Sequence, residues 1–159
     1  MKQVGKIGNL VVKNYTRENL IVHKTKAVKA PAELVWKIVS NHAIFSKWMP
    51  MVSNVDTNDA FADNDGNGCQ RVCTFGKDKI KETVIHIEEN KIFGYSAEDT
   101  AMFKNHLAVV KITGVGYSHS FIEYFVFFKP LGMKGFMMKY IMLPRVLKKA
   151  LKNLSKLVA

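Results

Sequence analysis

Apolar positions are sparse at the start of the chain and dense from Leu20 onward. Residues 1–17 mix Lys, Gly and Asn with few apolar anchors and read as a loose arm. From Glu18 to Val28 the run beginning at Leu20 alternates well enough for a strand, the period-two pattern of a half-buried one. Ala30-Pro31-Ala32-Glu33 then opens a helix. Proline suits a first helical position because its missing N–H would be unpaired there, and Glu33 in the first turn complements the positive end of the helix dipole. Val35, Trp36, Ile38 and Val39 supply a buried face. Ser40-Asn41 ends that helix, and His42 to Trp48 reads as a second short one closed by Pro50.

The middle of the chain reads as strands in hairpin succession. Val52–Val55 leads into the turn-rich run Asp63-Asn64-Asp65-Gly66-Asn67-Gly68, a cluster of the kind that joins hairpin strands. Strands follow over Gln70–Phe75, Ile80–Glu88, Lys91–Ala97, Leu107–Ile112 and Phe121–Lys129, with turns at Gly76-Lys77-Asp78, Glu89-Asn90 and Gly114-Val115-Gly116. The last strand is apolar on both faces, so it should be covered on both sides. From Leu131 the spacing changes to three and four: Met133, Phe136, Tyr140, Leu143, Leu147, Leu151, Leu154 and Val158 form one stripe of a long helix. Pro144 should kink or divide it, since it lacks the N–H for the preceding turn.

Composition bounds the class. The 159 residues suit one domain, placed at 18–159 behind the arm. With 48% hydrophobic residues and ten Phe, the chain is not disordered in the main. It holds no apolar run of the roughly 18 residues that a membrane span needs. Its start lacks the apolar stretch of a secretory signal, and a cytoplasmic location is expected. Cys69 and Cys73, four apart in one strand, stand roughly 13 Å apart at about 3.3 Å per residue, too far to bridge.

The formal charge of +11 is unevenly placed. Residues 1–30 hold seven Lys/Arg against Glu18, and from Lys129 onward there are eight Lys/Arg and no acid. Lys134, Arg145, Lys148, Lys149, Lys152 and Lys156 fall on the far side of the C-terminal helix from the apolar stripe. A basic face suits nucleic acid, an anionic membrane or an acidic ligand, or serves solubility alone. The aromatics lie in strands and on the helix stripe, where packing explains them, so no nucleic-acid partner is expected. Peripheral contact with an anionic membrane is the partner use left to the charge.

Catalytic motifs are missing. The five His show no i,i+4 pair, and the twelfth position from Phe61 is Val72, not the Glu of a calcium loop, so no metal is expected. There is no phosphate-binding glycine loop and no G-x-S-x-G elbow, so no cofactor is expected and no catalytic residue is assigned. Ionisable groups inside apolar strands say more. Glu82, Val84 and His86 share one strand face by alternation, and Glu123 lies between Ile122 and Tyr124. A buried carboxylate is costly unless paired or wetted, so each either faces solvent or lines a polar spot in an internal cavity.

The order strand, two short helices, six antiparallel strands, long helix resembles the START/Bet v 1-like (SRPBCC, polyketide cyclase/dehydrase-like) superfamily. The resemblance is carried by Val28–Trp36, Trp48-Met49-Pro50, Gly68–Arg71, Lys81–Val84 and Ser120–Pro130 and covers about residues 18–158. It implies an α+β helix-grip fold: a curved antiparallel sheet of about seven strands around a long C-terminal helix, with a hydrophobic cavity between. Members bind lipids, sterols, polyketides or hormones, and a few catalyse cyclisation or dehydration. By position Glu82 is similar to the cavity carboxylate of the abscisic-acid receptors. The segments Gly76–Lys79 and Lys104–Leu107 depart from the gate and latch loops of that branch.

The expectation is a binding or transport protein for a hydrophobic small molecule or lipid. Its site would draw on Trp36, Glu82, Val84, His86, Tyr95, Glu123, Phe136, Tyr140 and Leu147, with core packing the competing explanation for Trp36, Phe136 and Leu147. One alternative is a cyclase or dehydratase using Glu82 or His86 as acid or base. Another is a membrane-facing lipid carrier docked by its basic helix and arm.

Overall fold

The computed structural model describes residues 4–159. Seven strands form one antiparallel sheet: β3 (Leu20–Val28), β4 (Val52–Asn58), β5 (Gln70–Phe75), β6 (Asp78–Glu88), β7 (Ile92–Ala97), β8 (Phe103–Val115) and β9 (His119–Pro130), in the spatial order β3-β9-β8-β7-β6-β5-β4. From β4 onward each strand pairs with the next in sequence, as the turn signals require. β3 closes the far edge against β9. Between β3 and β4 lie α1 (Ala32–Val39), a single 3₁₀ turn at His42–Ile44 and α2 (Phe45–Trp48). The chain ends in α3 (Gly132–Met137), a π-helical turn over Met138–Met142 and α4 (Leu143–Val158), which packs on the sheet beside α1 and α2. This is the expected helix-grip arrangement.

The Asp63 run is a turn, as its composition implies: Asp63 Oδ1 accepts the N–H groups of Asp65 and Asn67, at 2.9 and 3.0 Å. The β8–β9 hairpin runs longer than expected. Gly114 and Val115 continue the strand, and the turn falls at Gly116–Ser118, where Gly116 supplies the left-handed conformation (φ 65°). Both cysteines are buried and free.

β9 explains the layering. Its Ile122, Tyr124, Val126 and Phe128 face α4 and join the main core, while Phe125 and Phe127 face the opposite, convex side. The cover on that convex side comes from the N-terminal segment. Residues read as a loose arm instead form a small hairpin, β1 (Lys6–Ile7) and β2 (Leu10–Val11), followed by a 3₁₀ turn at Val12–Asn14. Met1, Lys2 and Gln3 lie outside the described residues. Ile7, Leu10 and Val12 are almost fully buried against Ile92, Leu107, Val109, Phe125 and Phe127. Few apolar anchors are enough here because these three all point at the sheet. Gly94 completes the fit, since a Cβ there would stand 3.0 Å from the Leu10 side chain.

The C-terminal helix departs from a single stripe. Pro144 falls at the start of α4. It has no N–H to offer the Tyr140 carbonyl, and its ring crowds that carbonyl. The preceding turn widens accordingly, and Leu143 N–H reaches back to Met138 O. A π turn adds a residue and shifts the helical phase of what precedes it. Leu147, Leu151, Leu154 and Val158 therefore stay buried, while Met133, Phe136 and Tyr140 rotate outward.

Candidate functional site

A cavity of about 350 Å³ opens between the concave face of the sheet and the C-terminal helical segment. Its depths are walled by Tyr95, Phe103, Val126, Phe128 and Leu147, all buried. Its mouth is rimmed by exposed residues, among them Met51, Lys134, Met137 and Met142. Met49, Met102 and Met138 add to the lining. Methionine is flexible and polarisable, so such a wall can fit ligands of irregular shape. α3 is held close to the start of β8: Leu131 N–H donates to Met102 O at 2.8 Å, and a Cβ on Gly135 would stand 2.3 Å from the same oxygen.

One polar cluster interrupts the apolar wall. Arg71 on β5 lies directly across from Glu82 on β6, and Arg71 Nε donates to Glu82 Oε1 at 2.7 Å with both side chains under a tenth exposed. Cys73, on the same face of β5, donates its thiol to the same oxygen at 3.4 Å. Arg71 Nη1 donates to His42 Nδ1 at 3.3 Å. The guanidinium sits over aromatic faces, 3.8 Å from the Phe45 ring centre and 4.7 Å from that of Tyr95, a favourable setting for a desolvated cation. Arg71 Nη2 has no protein partner. Beyond Arg71, the Tyr95 and Tyr124 hydroxyls are hydrogen-bonded to each other.

Burial and charge set the protonation states. Burial disfavours the Arg71 cation, but Glu82 foremost, then Tyr95, Cys73 and Tyr124, outweigh it and hold its pKa above the ordinary value. Burial, then the Glu82 charge and the hydrogen bond to Glu82, push the Cys73 thiol up to about 12, with Arg71 opposing. His42 falls to about 4 through burial and then the Arg71 charge. Tyr95 and Tyr124 are both raised, chiefly by burial. The cluster is a matched ion pair in a neutral setting.

His106 on β8 also lines the cavity. Its Nδ1 accepts the Ala97 N–H at 3.0 Å, and burial lowers its pKa to about 4. The ring is therefore neutral at neutral pH, with its single proton on Nε2.

Of the side chains expected at a ligand site, Glu82, Tyr95 and Leu147 line this cavity. Val84 is buried in the core next to it. Trp36 is half-buried on α1 and packs edge-on to Phe93, 6.2 Å between ring centres, away from the cavity lining. His86 lies on the other face of the sheet. The β6–β7 register shifts between Val84 and His86, so alternation breaks and Ile87 takes the inward position that His86 would have had. His86 instead bonds Glu88 at 2.8 Å, which in turn accepts the Asn9 N–H from the β1–β2 hairpin. Glu123 also faces the convex side, paired with His23 at 2.9 Å while His23 stacks on Phe125. Phe136 and Tyr140 are more than half exposed and pack on one another, 4.5 Å between ring centres. The π turn that rotates them outward also separates them from the cavity.

Arg71, His42, His106 and Tyr124 escaped the sequence reading. A signal for Arg71 was present: a two-residue turn at Gly76-Lys77 pairs Phe75 with Asp78, and counting back along both strands sets Arg71 against Glu82. Among the described residues, no three His, Cys, Asp or Glu side chains gather as a metal-binding set. No helix among them is long and apolar enough to cross a membrane.

Comparison with known proteins agrees with this architecture. A family model described as polyketide cyclase / dehydrase and lipid transport matches residues 20–159. No curated protein matches the chain in sequence. Among solved structures, a Thermobifida fusca protein superposes with a TM-score of 0.72 at 21% identity, covering 86% of this chain and 91% of its own. A START superfamily protein from Mycobacterium smegmatis gives 0.70 at 20% identity, over 86% of this chain and 95% of its own. Truncated norcoclaurine synthase from Thalictrum flavum gives 0.68 at 14% identity, over 99% of this chain and 98% of its own. At these identities the likeness is one of fold.

Proposed function

The chain belongs to the polyketide cyclase / dehydrase and lipid transport family, and from that premise we propose that it binds, and carries, a hydrophobic small molecule or single-chain lipid in the cavity beneath the C-terminal helix. The observation that carries this reading is the cavity itself: apolar, walled by buried aromatic and aliphatic side chains and open at one end. At about 350 Å³ it falls near the lower end of the roughly 300–1,000 Å³ usual for small-molecule sites. That size suits one acyl chain or a few fused rings.

A carrier fits the polar cluster better than a cyclase or dehydratase does. A general base needs a lone pair facing the substrate. His106 Nδ1 is already occupied by a backbone N–H, His86 is on the far face of the sheet, and Glu82 has Oε1 engaged by Arg71 and Cys73 and keeps only Oε2 free. The test is native mass spectrometry of the purified protein, followed by solvent extraction and identification of what leaves with it. A stoichiometric apolar adduct is the expected result. A protein that carries none, and that takes up no neutral apolar dye, would sink the proposal.

A second reading is favoured by the outer face of the helical segment that borders the mouth. Met133, Phe136, Tyr140, Ile141 and Met142 are exposed on a segment that also carries Lys134, Lys139 and Arg145. Exposed apolar side chains set among cations match an anionic membrane surface, where each Lys or Arg adds about 1 kcal/mol. Ligand would then pass between bilayer and cavity without crossing water. Sedimentation with vesicles of phosphatidylcholine alone and mixed with phosphatidylglycerol tests it: binding should need the anionic lipid and weaken with salt.

A further inference from the structure

The polar end of the cavity carries chemistry that an apolar binding site alone does not require. His106 reaches it by an irregularity in β8. The β8–β9 register shifts between Lys104 and Leu107, and Asn105 takes a left-handed conformation (φ 57°), which non-glycine residues adopt at some cost and asparagine tolerates best. Two outside contacts hold it there. Asn105 N–H donates to Asp99 Oδ1 at 3.0 Å, and the hydroxyl of buried Thr16 donates to Asn105 O at 2.8 Å. A bulge braced in this way re-aims the next side chain, and His106 lines the cavity.

His106 and Glu82 meet through one residue. Ala97 is the cross-strand partner of Glu82, and its N–H is the donor to His106 Nδ1. The three form a continuous patch across β6, β7 and β8. With Nδ1 accepting, the imidazole has one group left, the Nε2–H donor. On Glu82, Arg71 and Cys73 both bond Oε1, which leaves Oε2 as an acceptor. Away from the charged rim, the lining thus offers the Nε2–H donor of His106 and the Oε2 acceptor of Glu82, bridged by Ala97, in an apolar wall.

Resting on the reading of this cavity as a ligand site, we propose that it selects ligands with a neutral hydroxyl head, which donates its O–H to Glu82 and accepts from the Nε2–H of His106. An alcohol satisfies both groups at once. A carboxylate cannot donate and brings a second anion beside Glu82, while the one buried cation, Arg71, is already matched and lies under the rings of Phe45 and Tyr95. A hydrocarbon with no head leaves both polar groups unpaired, which is the arrangement that binding sites discriminate against most strongly.

The test is displacement of a neutral apolar dye, Nile red, from the full chain at pH 7 by decanol, decanoate and decane. Decanol should bind about tenfold or more tighter than either of the others. His106→Phe should remove most of the preference for decanol over decane, by weakening decanol and sparing decane the unpaired Nε2–H. Glu82→Gln, which removes the counter-charge of Arg71, should shift preference toward decanoate. If that variant does not fold, judged by circular dichroism, His106→Phe decides alone. Equal affinities for decanol, decanoate and decane in the wild type, or an unchanged decanol affinity in His106→Phe, would overturn the head-group assignment and leave the cavity reading standing. No dye uptake, and no displacement by any of the three, would overturn the cavity reading itself.

Discussion

The two faces of the sheet solve the same problem differently. Both are apolar and both must be covered. On the convex face a short hairpin supplies Ile7, Leu10 and Val12, which pack on Ile92, Leu107, Val109, Phe125 and Phe127. On the concave face the helices cover the sheet incompletely, and the space left holds a cavity, a buried ion pair and two half-buried histidines, His42 and His106. A cover that only stabilises can be small and filled. A cover that serves a ligand has to stand off from the sheet, and the groups exposed in that gap must be paired.

The largest expected effect breaks the concave side. Arg71→Met leaves the Glu82 carboxylate buried and unmatched, and removing one partner of a buried ion pair destabilises by about 3–5 kcal/mol. Replacing both, Arg71→Met with Glu82→Leu, should recover most of that loss, because the desolvation of both charges disappears as well. Urea unfolding of the three proteins checks it. A double variant no more stable than the single one would show that stacking of the Arg71 guanidinium on Phe45 and Tyr95, and not the ion pair, governs the site.

Next comes the convex side. Leu10 is fully buried, and Leu10→Ala should cost roughly 3–4 kcal/mol, as for other large-to-small changes in a core. The contrast lies in the second readout: affinity for an apolar ligand should be unchanged, since Leu10 is on the opposite face from the cavity. A shift in ligand affinity with Leu10→Ala would mean that the two faces are coupled through Gly94 and β7.

Much of this layout was legible beforehand, and the rest was hidden for identifiable reasons. The succession β4 to β9 followed from period-two runs and turn residues, and the need for a second cover followed from the two-faced apolarity of β9. What covered it was missed because Ile7, Leu10 and Val12 are too few to make a pattern, yet all three are buried. His86 was expected at the cavity by alternation, which the irregularity after Val84 broke. His106 was unseen for the converse reason: an irregularity before Leu107 turned it inward. Phe136 and Tyr140 fit the heptad-like stripe, but Pro144 changed the helical phase upstream of itself. In the last three cases a one-residue defect, whose cost is set by tertiary packing, reassigned a face.

A pH titration sharpens the comparison further. In the unfolded chain His106 takes a proton near 6.5, whereas in the fold it resists until about 4. The unfolded state therefore binds more protons between these values, so stability is full above pH 6.5 and falls as the pH drops toward 4. The span corresponds to roughly 3 kcal/mol from this one group. His42 acts in the same direction. Measured at pH 7 and pH 4.5, the loss of stability should be smaller in His106→Phe than in the wild type, and an equal loss would assign the acid sensitivity elsewhere.

The smallest effect on stability is expected on the outer face of the π-turn segment, and there it separates folding from function. Phe136 and Tyr140 are 56% and 57% exposed and touch each other more than the core. Changing both to Ser should alter stability by no more than about 0.5 kcal/mol, as for surface positions away from special features. Vesicle binding should nevertheless drop, because the variant loses the apolar area that would enter the interface while retaining Lys134, Lys139 and Arg145. Retained binding in the double variant would make the contact purely electrostatic, and it should then vanish at high salt. If binding is lost instead, the helical defect at Pro144 takes on a function: it turns part of a core stripe into a surface that faces the membrane.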